Sequence, residues 1–350
     1  MGLYTLCFAW EEGAVCKMVA DEFFPISIIE KEQILDICKE KHIDGICTIA
    51  SDVAAPTIAY VVEKMGLVGN SYEAAVRANN KFLMRNAFSK VGVPCPKYQI
   101  VTSLDEIMTE STFPVIVKPT DRSGSLGVAK VEKKEDLATA IRNALGCSFK
   151  HEAIVEEFIE GREISVEFIS YQGKHYPLQI TDKVTTGAPH FVELEHHQPA
   201  VLSDQQYKEI YALTARALDA LGITNGASHS EYKITANGGV YVMEIGARMG
   251  GDFIGSDLVQ LSTGYDYLKG VIEVALGRFE EPVFGERHHA GVYFLCEETR
   301  YLLPVIKFAS LPCVVRAEIT DEEVRKVTCS ADRSGYLIYQ GKDRIKCVSI

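Results

Sequence analysis

The chain has one tryptophan in 350 residues and no Cys-x-x-Cys pair among its ten cysteines. That excludes the usual spacings of a zinc ribbon or a redox dithiol. Most of the cysteines fall inside apolar runs (Cys7, Cys38, Cys47, Cys296), as buried free thiols do in a reducing cytosol. Positive charge is also short: 36 Lys and Arg face 48 Asp and Glu, for a net charge of −12. This argues against a general nucleic-acid binder and leaves room only for a local basic pocket. No apolar run is long enough to span a bilayer, and the opening MGLYTLCFAWEEG lacks the basic lead of a secretory signal. The expectation is a cytoplasmic protein with no nucleic-acid and no membrane partner.

What is present suits a globular protein of two or three units, with an apolar fraction of 47%. Over residues 1–75, short apolar runs alternate with helical patterns. LYTLCFAW (3–10) and GICTIA (45–50) read as strands and GLVGN (66–70) as a strand-like piece, with helices at 31–41 and 56–65. Such alternation predicts a parallel α/β sheet. Ser51-Asp52 then lies at the carboxyl end of a strand, where open α/β sheets place ligands. A helix begins after Ser71 and runs to the stop formed by Gly92 and Pro94. FPVIVKP, GVAKV, AIVEEFI and EISVEFIS, with a helix near 135–145, read as an inserted α+β lobe over about 113–170. Asp204–Leu221 is a long helix ended by Gly222, and the chain turns β-rich after Gly277. The expected division is 1–75, 76–278 and 279–350.

The segment HSEYKITANGGVYVMEIG carries the strongest local signal. Asn237-Gly238 between two apolar runs predicts a two-residue hairpin turn. Antiparallel partners then sum to 475, as Glu231 and Glu244 do. Opposed on one face, their Cβ atoms stand roughly 5 Å apart. Like charges that close invite a cation, and Mg2+ bridging phosphates suits two carboxylates. The competing reading is a solvated hairpin face on which Lys233 neutralises a glutamate. Lys118 leaves the strand VIVKP before the loop TDRSGSLGV, a point charge followed by backbone N–H groups fit for phosphate. Lys81, read alone, is a surface helix residue. In AIVEEFIEGREISVEF, a backbone crossing after Glu156-Glu157 suits a purine edge and Glu163 suits ribose hydroxyls, unless this is merely a hairpin with exposed acids.

Taken in order, the lysine helix, the K-P strand with its Ser/Gly loop, E-E-F-I-x-G-x-E and the two acids leading into E-I-G-A-R resemble the ATP-grasp superfamily over nearly the whole chain. The branch they resemble is that of the carboxylate–amine ligases, with L-amino acid ligases and carbamoyl-phosphate synthase large chains. The resemblance implies an ATP-grasp fold, α/β and α+β, with an N-terminal parallel α/β domain, a lid lobe and a small β-rich C-terminal unit. The resemblance also carries the expectation that the family's first strand and helix precede the part of that domain found here. It implies Lys81 and Lys118 as ATP phosphate contacts, Ser123, Gly124, Ser125 and Gly127 as the closing loop, Glu156, Glu157 and Ile159 as the adenine linker, and Glu163 as the ribose acid. Glu231 and Glu244 match Mg2+ ligands (Mn2+ in its place), Arg248 the holder of the acyl substrate, and Gly250-Gly251 an oxyanion turn.

HFVELEHHQPA (190–200) resembles the family's histidine-rich loop, which implies His196 or His197 facing the substrate, with Lys183 as a further phosphate contact. Gly246 departs from the pattern, since many members have a metal-ligating Asn there. The implied activity joins a carboxylate and an amine, at least one from an amino acid, through an acyl phosphate, releasing ADP and phosphate. A bicarbonate-activating carboxylase and a non-catalytic nucleotide-binding regulator are the alternatives, and a homodimer is the expected assembly.

Overall fold

The computed structural model describes residues 1–106, 112–122, 124, 126–188, 190–307 and 311–345. Two short strands, β1 (Leu6–Phe8) and β2 (Glu22–Phe24), pair in parallel at the start. Helix α1 (Lys31–Glu40) buries Ile34, Leu35 and Cys38 against Val61 of α2 (Ala55–Met65). The expected strands GICTIA and GLVGN join no ladder. Close packing takes the place of pairing there. A Cβ on Gly45 would stand 2.6 Å from the carbonyl oxygen of Ala275, and one on Gly69 would stand 2.9 Å from Val62. The parallel sheet is therefore two strands, β1 and the unexpected β2, rather than the three pieces expected.

The single helix expected after Ser71 is two. Ser71 caps α3 (Tyr72–Asn79) and Asn80 caps α4 (Lys81–Val91), each side chain accepting a backbone N–H three residues on. Lys81 is thus the first residue of α4 rather than part of a continuous helix. A four-stranded antiparallel sheet follows, in the order β3 (Tyr98–Val101), β6 (Ala153–Glu157), β4 (Val115–Pro119), β5 (Ala129–Val131). Helix α5 (Lys134–Cys147) closes its core through Leu137, Ile141 and Ala144.

EISVEFIS, expected in this lobe, lies in β7 (Arg162–Tyr171) of the larger sheet, where Ile164, Val166 and Phe168 pack on the α4 side. The lobe sheet thus runs from 98 to 157, and the chain leaves it at Gly161, whose Cβ would stand 2.5 Å from the Ile234 carbonyl oxygen.

The larger sheet adds β8 (Lys174–Thr185), β9 (Glu193–Gln198), β10 (Gly226–Ile234), β11 (Val240–Gly246), β12 (His289–Leu295), β13 (Val314–Ile319) and β14 (Gly335–Gly341). Its order is β11-β10-β7-β8-β9-β12-β14-β13. The β-rich tail therefore extends this sheet through β9–β12 pairing rather than forming a sheet of its own. Helices α4 and α6 (Asp204–Leu221) cover one face, and α8 (Tyr267–Ala275), which follows α7 (Val259–Thr263), covers part of the other. No helix among the described residues is long and apolar enough to cross a membrane.

Candidate functional site

The hairpin of β10 and β11 brings the two acids together by a different route from the one expected. Thr235 N donates to the Gly239 carbonyl at 2.9 Å, so the loop holds three residues, with Gly238 at φ 87. Near the loop the partners sum to 474 (Ile234 with Val240, Lys233 with Tyr241). A bulge between Glu231 and Tyr232 then leaves Met243 unpaired and advances the register by one. Glu231 comes opposite Glu244 all the same.

Each acid already has a cation. Lys183 Nζ lies 2.6 Å from Glu231 Oε1 and 3.6 Å from Glu193, while Lys81 Nζ lies 2.9 Å from Glu244 Oε1. Burial opposes both charges of the Lys183–Glu231 pair, but their mutual attraction outweighs it. The Glu231 carboxyl is held well below the usual range and the Lys183 ammonium above it. Lys81 also donates from its backbone to the Thr120 carbonyl and from Nζ to the Arg122 carbonyl, which ties α4 to the loop after β4.

Lys118 sits in a second, buried group. Glu156 is 1% exposed and holds Lys118 Nζ at 2.7 Å and Arg85 Nε at 2.7 Å. Burial raises the Glu156 pKa, but Arg85 and Lys118 reverse the sign and leave it lowered; burial lowers that of Lys118. The Glu156 side chain is therefore the counter-ion beneath Lys118, so only its backbone remains for an adenine contact. Glu157 is exposed, Ile159 is buried, and Glu163 pairs with Lys233 at 3.3 Å. Gly124 and Gly127 have φ of 65 and 74, as a turn at the loop requires. Ser123 and Ser125 lie outside the described residues.

Residues 111–257 match the family model of the ATP-grasp domain. The chain superposes on the crystal structure of an L-amino acid ligase from Bacillus licheniformis with TM-score 0.83 at 22% identity, covering 99% of this chain and 90% of that one. The fold is ATP-grasp. In sequence the chain is 31% identical over 245 residues to alanine–anticapsin ligase of Bacillus subtilis (strain 168), covering 63% of this chain and 51% of the relative. It is thus matched to about half of that relative's length. It is 26% identical over 321 residues to dapdiamide A synthase of Enterobacter agglomerans, covering 81% of this chain and 74% of that protein.

Within this ATP-grasp fold, several residues expected at the substrate are placed differently from expectation. Arg248 is not free: its Nε and Nη2 donate to Asp52 Oδ1 at 2.8 Å and Oδ2 at 2.6 Å. The Gly250 N–H donates to buried Glu167 Oε2 at 2.9 Å, so it is committed within the protein rather than offered to an oxyanion. The HFVELEHHQPA segment is strand β9 from Glu193 on, because its residues pair with β8 and β12. Both histidines are buried there, on opposite faces. His196 stands opposite Lys183, with Nε2 3.8 Å from Asp252; burial lowers its pKa. His197 points away, to Tyr339 and Glu195 at 2.8 Å each. Of the two, His196 is on the site side.

The sequence reading missed three groups that hold these clusters together. Arg85 anchors Glu156, and its Nη2 donates to the Met243 carbonyl at 2.6 Å. His229 is wedged between Glu167 and Glu231. Arg333, from the tail, holds Asp252 through two bonds of 2.8 Å. The available signal was periodic: Arg85 is four residues from Lys81 on one helix, and His229 is two from Glu231 on one strand.

Among the described residues no group of three or more His, Cys, Asp or Glu is placed to hold a metal ion. Glu231 and Glu244 are nevertheless the pair that could hold Mg2+ together with phosphate oxygens, since each carboxylate already accepts a lysine ammonium.

Proposed function

We propose that the protein is an ATP-dependent carboxylate–amine ligase with an amino acid among its substrates. The observation that carries this is the in-register pair Glu231 and Glu244, with a lysine on each carboxylate and buried Lys118 on the neighbouring sheet. The names of the relatives, ligases and a synthase, support the same reading. Lys81 and Lys118 would bind the phosphates of ATP and orient its γ-phosphoryl group. Glu231 and Glu244 would hold Mg2+, which supplies Lewis-acid neutralisation of phosphate charge when bound.

The substrate carboxylate, held at Arg248, attacks the γ-phosphorus; the bond to the β-bridging oxygen breaks and ADP leaves. An amine then attacks the acyl carbon of the acyl phosphate, loses a proton, and phosphate departs. With the Gly250 N–H committed, Gly251 and His196 remain as the candidates for steadying the oxyanion. The 98–157 lobe would close over the phosphates through Gly124 and Gly127 and exclude water. Free thiols at nine described cysteines support the cytoplasmic location we propose, and a homodimer is the assembly we propose.

The test is ADP release screened over pairs of amino acids, with mass spectrometry of the products. An amide product is expected, and Glu244→Gln is expected to lower turnover about 100-fold or more while the circular dichroism spectrum stays unchanged. A wild-type protein that releases no ADP with any carboxylate and amine sinks the ligase reading. ADP release driven by bicarbonate alone would move it to the carboxylase class.

A further inference from the structure

Asp52 is not part of the phosphate machinery, yet it reaches the centre of the site. It comes from the loop before α2, and its carboxylate grips the Arg248 guanidinium with two bonds of 2.6 and 2.8 Å. Both side chains are largely buried, 12% and 16% exposed. Gly246 explains how Asp52 gets there. A Cβ on Gly246 would stand 2.5 Å from Asp52 Oδ1 and 3.0 Å from Arg248 Nε. Gly246 in turn lies opposite His229, whose ring reaches Glu231. The space that a side chain at 246 would fill is therefore taken by an acid from the other end of the chain, next to the paired glutamates.

We propose that Asp52 is a specificity-determining residue that reads the ammonium group of an α-amino acid whose carboxylate is taken by Arg248. The Asp52–Arg248 ion pair stands in for that zwitterion when the site is empty. This rests on the ligase reading and adds which substrate is activated: an α-amino acid that keeps its amine free in the product. An α-amino acid carries its cation on the carbon next to its carboxylate. A carboxylate docked on Arg248 therefore sets the ammonium beside the group already bonded to that guanidinium, which is Asp52. The protein's own ion pair is exchanged for two of the same kind, and no buried charge is left alone. Bicarbonate or a plain carboxylic acid has no cation to offer. It would take Arg248 and strand Asp52 as an unpaired buried anion, the costly half of a broken pair. Ile46, Cys47, Ala55, Ile58 and Ala247 line an apolar cavity against Arg248, which suits an uncharged side chain.

The experiment uses L- and D-α-amino acids, each paired with the carboxylic acid that lacks only the amine (alanine with propionate, phenylalanine with 3-phenylpropionate). Binding is measured by calorimetry with a non-hydrolysable ATP analogue and Mg2+, and ADP release is measured in parallel. The wild type is expected to prefer at least one amino acid over its deaminated partner by about 100-fold or more, the scale of an unpaired buried charge. In Asp52→Asn that ratio is expected to fall below about tenfold, with nucleotide affinity unchanged. Asp52→Glu should restore part of it. Gly246→Ala should reproduce the loss by displacing the carboxylate without removing it, and it serves as the second variant if Asp52→Asn does not fold.

A ratio that survives both variants overturns the proposal. So does an equal weakening of both acids, which would mean that Asp52 only orients Arg248, and so does a wild type with no preference. Absence of ADP release alongside a clear binding preference overturns the ligase reading and supports the amino-acid site.

Discussion

At the scale of single residues, the least conspicuous side chain in the sequence is among the most constrained in the structure. Arg85 is fully buried and joins three parts: Glu156 on the lobe sheet, Lys118 through that glutamate, and the Met243 carbonyl at the bulge before Glu244. Arginine suits the task because its planar fork serves a carboxylate and a carbonyl at once. Arg85→Met is expected to strand Glu156 and lower stability by about 3–5 kcal/mol, measured by urea unfolding. Adding Glu156→Gln to that variant should recover part of the loss, because the buried anion is then gone. If Arg85→Met unfolds at the wild-type urea concentration, the Arg85–Glu156 pair does not hold the lobe in place.

At the scale of elements, the hairpin shows how a correct pairing can follow from an incorrect turn. The three-residue loop shifts the register by one and the bulge shifts it back, so Glu231 still meets Glu244. The bulge, not the loop, governs where the acids sit. Gly238→Ala places a Cβ at φ 87 and should cost about 1–2 kcal/mol in unfolding free energy. ATP-analogue affinity should change less than twofold in titration, within the scatter of distant, independent sites. A large loss of affinity would mean that the loop sets the register after all.

Other elements were less legible for similar reasons. The Asn79-Asn80 doublet splits a helical pattern that apolar spacing alone reads as continuous. The strand β9 carries two histidines and three further polar residues, so its pattern does not advertise burial. Long-range pairing decided both the lobe boundary at Gly161 and the place of the C-terminal strands, and local periodicity carries no record of it. The order of lysines and acids, by contrast, was readable, because each stands at the end or the face of a strongly patterned element.

At the scale of the whole molecule, a line of paired acidic and basic side chains crosses the sheet and ties the N-terminal helices to the C-terminal strands. Glu167 on β7, His229 and Glu231 on β10, and Lys183 on β8 form its centre, with Glu193 on β9 beyond. Arg248 with Asp52 connects it to the N-terminal helices, and Asp252 with Arg333 to the tail. A molecule with net charge −12 thus concentrates scarce cations where its acids are buried.

His229 gives this arrangement a pH dependence. Burial disfavours its charge, but Glu167 and Glu231 more than compensate and raise its pKa from 6.5 to about 8. The folded state therefore binds this proton more tightly than the unfolded state. The resulting stabilisation is complete below about pH 6.5 and is lost as pH rises through about 8, amounting to about 2 kcal/mol. In urea unfolding of the nucleotide- and metal-free protein, the wild type should lose that much more stability between pH 6 and pH 9 than His229→Gln. Equal pH profiles for the two proteins would show that Glu167 and Glu231 do not hold His229 charged, and that the line across the sheet is broken at its centre.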